Sequence, residues 1–205
     1  MFNRSLFLKW LILGALVAIY LLSYYFYDSY LNKKAGQDFL FASFLYRRAS
    51  EDSQKYGEAE KAFKDMLSQY DGRRWQELAL FYLGNIYYNQ GKTSEAERVY
   101  GQYLSSFPAG DWALEVRLSL ASLAENRGLY ALAVERYEKL LKEFPEDYLL
   151  KEVYLGLGRS YEQLKKFTLA KEYYGRLKAN YPGSIYAQKA GERIEEIEAR
   201  IKLGL

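Results

Sequence analysis

The sequence predicts an all-α protein: one membrane-crossing helix, then a stacked array of helix pairs, then a closing helix. Three observations predict it. Between Trp10 and Phe26 no side chain is charged. From Gly91 onward a pattern returns every 37 residues: Gly91, Ala96, Tyr100 and Pro108 are followed by Gly128, Ala133, Tyr137 and Pro145, then by Ala170, Tyr174 and Pro182. Near the C-terminus, Ala187, Ala190, Ile194, Ile197 and Ile201 alternate spacings of three and four, which puts them on one stripe of a helix. Small, aromatic and proline residues at fixed offsets of a fixed period mark a helical repeat array. No unit of such an array can bury its apolar face alone, so the units stack.

The anchor comes first, over residues 1–34. Trp10, Leu11, Leu16, Ile19, Leu22 and Tyr25 lie in the uncharged stretch. With Ser5 to Leu8 and a snorkelling Lys9 it reaches about 20 residues, enough to cross ~30 Å of hydrocarbon. Tyr24, Tyr25 and Tyr27 cluster at one end and Trp10 lies near the other, the pattern of an aromatic belt. A cleaved signal peptide needs small residues at the cleavage site, whereas Ser23-Tyr24-Tyr25-Phe26-Tyr27 is bulky. The helix is therefore expected to stay attached as a single-pass span. Arg4 and Lys9 on one side nearly balance Lys33 and Lys34 on the other. The short lead before Ser5 resembles a bacterial signal anchor, which implies an inner-membrane protein with its array in the periplasm; an array facing the cytoplasm is the alternative. From Asp28 to Asp38 there is no proline and only Gly36, so the span is expected to run almost directly into the first repeat.

The array takes residues 35–205, with units at 37–71, 74–108, 111–145 and 148–182 and a capping helix over 184–203. The expected helix pairs are Phe39–Ser53 with Tyr56–Tyr70, Trp75–Gln90 with Thr93–Phe107, Trp112–Arg127 with Tyr130–Phe144, and Tyr148–Leu164 with Phe167–Tyr181. Gly91 and Gly128 can take the left-handed conformation that ends a helix, and Lys165 stands in their place in the fourth unit at some cost. Pro108, Pro145 and Pro182 follow the second helix of their pairs, where they break no interior bond. Ala59, Ala96, Ala133 and Ala170 let the paired helices approach. Phe63, Tyr100, Tyr137 and Tyr174 are expected to fill the space between neighbouring units. The C-terminal stripe, backed by Glu192, Glu195, Glu196, Glu198 and Arg200, predicts a polar-backed cap; the same spacing also suits a homodimer seam.

The order Leu83-Gly84, Tyr87, Gly91, Ala96, Tyr100, Pro108 resembles the tetratricopeptide (TPR) signature. The fourth unit matches with Leu157-Gly158, Tyr161, Ala170, Tyr174 and Pro182. The third has Leu120-Ala121 and Ala124 instead, and the first is the most degenerate, with Arg47 at the glycine position and Asp71 at the proline position. The family's usual period is about 34 residues, so each unit here has a longer first helix or a longer link. The resemblance implies binding positions on the first helix of each pair, facing a concave groove. They are Phe41, Phe44, Arg48, Glu51 and Asp52; Leu78, Phe81, Asn85, Tyr88 and Asn89; Glu115, Leu118, Ser122, Glu125 and Asn126; and Glu152, Leu155, Arg159, Glu162 and Gln163. The column Phe44–Phe81–Leu118–Leu155 is apolar in all four units and its neighbours are polar. Such a stripe suits a docking polypeptide segment; alternatively it packs against neighbouring first helices or the chain's own C-terminal helix. TPR proteins that clamp a chaperone's C-terminal carboxylate use Lys and Asn; Asn85 fits one such position, but the matching Lys is missing.

Composition narrows the function. Cys and His are both absent, which excludes disulfides, thiolate sites and acylation on Cys and removes the commonest general base and metal ligand. Residues 1–34 carry Arg4, Lys9, Lys33 and Lys34 against Asp28, so the formal charge of +3 sits there and the remainder is neutral. A neutral body lacks the basic face that nucleic acid requires. Gly156-Leu157-Gly158 lies in a helical pattern, not after a strand, and fits no nucleotide fingerprint. Neither an enzyme nor a cofactor site is expected. The expectation is a membrane-tethered scaffold for other proteins. The layout resembles the ancillary inner-membrane TPR proteins that accompany the Sec translocon and periplasmic chaperones, which implies membrane or secreted clients and translocon or chaperone partners. The joint Tyr181-Pro182-Gly183-Ser184-Ile185-Tyr186-Ala187 is shared with outer-membrane assembly and Tol-Pal-associated TPR proteins. The first of these are normally lipidated on a Cys this chain lacks; the second are normally cleaved and soluble. The competing expectation is a structural subunit of a larger envelope complex with no exchangeable client.

Overall fold

A computed structural model describes residues 4–145 and 148–203, with the side chains at 4–7, 50, 53 and 73 left aside. In chain order the helices are α1 (Arg4–Glu51), α2 (Tyr56–Gln69), α3 (Arg73–Asn89), α4 (Thr93–Ser106), α5 (Ala113–Asn126), α6 (Tyr130–Glu143), α7 (Leu150–Gln163), α8 (Phe167–Asn180) and α9 (Ile185–Lys202). Among the described residues there is no strand. The fold is all-α, and the predicted helices form within a few residues of their expected bounds, except that the one expected to start at Phe39 is the last part of α1 and has no start of its own there. The second helix of each pair stops one residue early, because Tyr70, Phe107, Phe144 and Tyr181 leave helical geometry as caps. The chain forms two compact units, Met1–Ile86 and Tyr87–Leu205.

In the first unit, α1 is unbroken for 48 residues. It contains no proline, so nothing in the sequence ends it where the apolar stretch does. Trp10, Leu11, Leu16, Ile19, Leu22 and Tyr25 are all exposed. The helix is long and apolar enough to cross a membrane, and none of its most apolar window is buried against protein. Its later half packs on α2, and an aromatic cluster closes the contact. Phe63 is fully buried and stacks on Tyr82 at 5.1 Å, while Phe39 meets Phe63, Trp75 and Tyr82 edge-on or tilted. With no glycine between α1 and α2, a short 3-10 segment, Ser53–Lys55, turns the chain. Asp52 holds that turn by accepting from the Gln54 backbone N–H at 3.2 Å.

In the second unit, successive helices pack in order from α4 to α9, and α9 lies on both α8 and α7. Ala96, Ala133 and Ala170 are fully buried, and so is Ala59 in the first unit. Tyr100, Tyr137 and Tyr174 are buried as well. Two glycines make room for these rings. A Cβ on Gly156 would lie 2.4 Å from the Tyr137 ring, and one on Gly158 would lie 2.2 Å from the Tyr174 ring. Gly156 therefore receives the tyrosine of the preceding pair and Gly158 that of its own pair. This packing accounts for the Gly-Leu-Gly sequence in α7. Gly91 ends α3 at φ +68°, and Lys165 adopts the same left-handed geometry at φ +59°. Ser184 caps α9 by accepting from the Ala187 N–H at 3.1 Å. Helix α9 stands where a further first helix would. Tyr186 donates to Glu152 at 3.0 Å, as Tyr148 donates to Glu115 at 3.0 Å about one period earlier.

Candidate functional site

The implied binding positions fall in both units. In the first unit, Phe44 is 48% exposed, with the Arg48 guanidinium 5.6 Å over its ring. Leu40 and Phe41 beside it are also exposed, so this part of α1 presents apolar surface. Phe81 and Asn85 on α3 are half-buried, and the Phe81 ring meets Tyr82 edge-on at 5.5 Å.

In the second unit the positions converge. Leu118, Ser122, Leu155 and Arg159 line a pocket of about 180 Å3 between α5 and α7, with Glu152 and Tyr186 at its α9 side. Leu155 is 7% exposed and belongs to the buried core, so it offers a pocket floor and not a projecting anchor. Leu118 is half-buried beside it. The polar positions meet one another. Arg159 makes a two-pronged bond to Glu125, Nε to Oε1 at 2.6 Å and Nη2 to Oε2 at 2.8 Å. Tyr137 donates to the same carboxylate at 3.0 Å. The Tyr88 and Ser122 hydroxyls share a hydrogen bond of 2.9 Å. Fork-on-fork pairing of this kind fixes geometry as well as charge.

One period on, the arrangement returns. Tyr174 donates to Glu162 at 3.3 Å. Glu162 is buried and also accepts both prongs of Arg193 from α9. The electrostatics follow from the burial. Tyr137 and Tyr174 are both held well above the ordinary phenol value, by loss of solvent first and by the adjacent carboxylate second. Arg159 is held more firmly protonated by its bonds to Glu125, which outweigh the opposing effect of burial. The tyrosine–glutamate–arginine ladder was missed by sequence reasoning, which treated Glu125, Arg159 and Glu162 as groove residues. Its signal was there: Tyr137 and Tyr174, and Glu125 and Glu162, recur at the repeat period.

Chemically the site is a pocket with an apolar floor and a polar rim whose charged members already have partners, Arg159 with Glu125 and Glu152 with Tyr186. Among the described residues no group of three or more acidic side chains could hold a metal ion. No curated protein matches the chain. Solved structures share its fold. A tetratricopeptide repeat protein from Parabacteroides merdae ATCC 43184 is 22% identical, with TM-score 0.63, over 80% of this chain and 61% of that one. PilF of Pseudomonas aeruginosa is 19% identical, with TM-score 0.56, over 78% of this chain and 66% of that one. The TPR-like repeats of a kinesin light chain from Podosopora anserina are 15% identical, with TM-score 0.60, over 83% of this chain and 96% of that one. This chain thus spans less than two thirds of the first two. The profile of the YfiO family, described as outer membrane lipoprotein, matches residues 41–202. The helix pairs, their TPR offsets and this match over most of the chain together place the protein in the YfiO family of TPR-fold outer membrane lipoproteins.

Proposed function

We propose that the chain is a non-enzymatic scaffold of the bacterial envelope, tethered by α1, that binds a segment of another polypeptide along the first helices of its pairs. The observation that carries this reading is the pocket floored by Leu118 and Leu155 and rimmed by Glu152, Arg159 and Tyr186. An apolar floor with polar edges accepts one anchoring side chain and lets the rim hold the neighbouring backbone. The family is one of lipoproteins, yet this sequence holds no Cys to acylate. The exposed apolar length of α1 supplies the membrane attachment instead, with the repeats in the periplasm. The clients are membrane or secreted chains, and translocon or chaperone components are partners of the same class.

A second reading has its own support. Because Glu125, Arg159, Tyr88 and Ser122 pair among themselves, few of these polar groups are left to read a changing client. That favours a structural subunit of an envelope assembly with one fixed neighbour. Photo-crosslinkers placed at Phe44 and Leu118 in membranes separate the two readings. Many different unfolded or nascent chains are expected for the scaffold, and one stoichiometric neighbour would favour the subunit. No crosslinks to any protein would sink both.

A further inference from the structure

We propose that the turn between α2 and α3, residues 70–75, rests on the lipid headgroup layer of the bilayer that α1 crosses, with Arg74, Lys33 and Lys34 meeting headgroup phosphates. This rests on the reading of α1 as the membrane anchor. Helix α2 runs antiparallel to α1: Tyr46 meets Tyr56 at one end of the pair, and the Tyr70 hydroxyl donates to Asp38 at the other. The chain therefore comes back towards the anchor before α3 starts. It is fixed there by Trp75, whose indole Nε1 donates to Asn32 at 3.0 Å. The same ring lies against Gly36 and Gly72, where added Cβ atoms would sit 3.5 and 3.1 Å from it.

The distance decides the issue. The uncharged stretch gives way to polar residues after Tyr27, and Asn32 is five residues further along an unbroken helix. At 1.5 Å per residue that is about 7.5 Å. A headgroup layer is roughly 5–8 Å thick on each side of the hydrocarbon. The turn thus sits within or at the edge of that layer, and any tilt of α1 lowers it further. It also shares a cavity of about 310 Å3 with Tyr24 and Tyr27 of the aromatic belt and with Leu31. Lys33 and Lys34, which follow Asn32 on α1, and Arg74 are exposed at the same height, the last with its guanidinium 5.2 Å over the Trp75 ring. Asp28 and Asp71 line the same cavity and Asp38 accepts from Tyr70 beside it, while Asp28 accepts from the Asn32 amide at 3.0 Å. Cations beside exposed tyrosines and a half-buried tryptophan form the chemistry of a membrane interface.

The test uses the full chain in vesicles of neutral and anionic phospholipid, with and without a nitroxide-labelled headgroup. Trp10→Phe with Trp112→Phe leaves Trp75 as the emitter; Trp75→Phe with Trp112→Phe leaves Trp10. Both emissions are expected to fall when the nitroxide is present, that of Trp75 by roughly half. Quenching of Trp10 with Trp75 unchanged overturns this proposal and leaves the anchor intact. If neither is quenched, the anchor and the proposal fail together. Combining Lys33→Gln, Lys34→Gln and Arg74→Gln is expected to weaken Trp75 quenching; unchanged quenching would overturn the phosphate contacts.

Discussion

At Gly158 a single hydrogen stands where the Tyr174 ring fills all remaining space, and Gly156 holds the same relation to Tyr137. Protein cores are packed too densely to absorb a methyl group 2.2 Å from a buried ring. Gly158→Ala and Gly156→Ala are therefore each expected to cost about 2–3 kcal/mol in urea unfolding of the detergent-solubilised chain. Gly175, in α8, is a control with the opposite sign. A Cβ there meets nothing within 4 Å, so Gly175→Ala gains helix propensity, about 0.5–1 kcal/mol. Equal effects at Gly158 and Gly175 would mean that the tyrosine packing is not what holds α7. The TPR-like offsets matched Leu157-Gly158 to the family's Leu-Gly pair without showing which ring the glycine makes room for. Nor did they show that position 156 shelters the ring of the preceding pair.

At the scale of the element, the turns distinguish one pair from another. Gly91 and Gly128 end their helices in left-handed geometry that costs glycine little, whereas Lys165 makes the same turn with a side chain attached. Lys165→Gly should therefore raise stability, by about 0.5–1 kcal/mol, seen as an upward shift of the thermal midpoint. A lower midpoint would show that the lysine side chain contributes a contact outweighing the backbone strain. The helix bounds were legible to within about one residue at most ends, because prolines and left-handed positions mark them directly. The first unit was the least legible, since Arg47 and Asp71 replace its punctuation. There a 3-10 segment and an aromatic cluster around Phe39, Phe63 and Tyr82 do the work instead.

Across the whole molecule, the tyrosines set the response to alkaline pH. Burial, and then contact with a carboxylate, raises Tyr137, Tyr161 and Tyr174. Tyr70 is pushed up to about 12 by burial and by Asp38. Each keeps its proton in the folded chain at a pH where the unfolded chain has lost it. Their contribution is thus complete below the ordinary value of 10 and is lost as pH rises through it, for Tyr70 up to about 12. Each such buried tyrosine costs about 1.4 kcal/mol per pH unit in that window. The urea midpoint is expected to fall steeply between about pH 10 and pH 12, and Tyr137→Phe should make the fall shallower. A midpoint that stayed level over that range would contradict the assignment.

The all-α repeat architecture, the apolar length at the N-terminus, the buried alanine and aromatic columns and the closing helix were all legible along the chain. Each of these is a periodicity, and a periodicity is written along one chain. What the polar first-helix positions do follows instead from how the helices pack. Whether Glu125 faces a client or Arg159 depends on how α5 and α7 turn towards each other, and that rotation is set by side-chain volumes such as Tyr137 against Gly156. Leu155 likewise reads as one more member of an apolar column, and becomes a pocket floor only once α9 has packed beside α7.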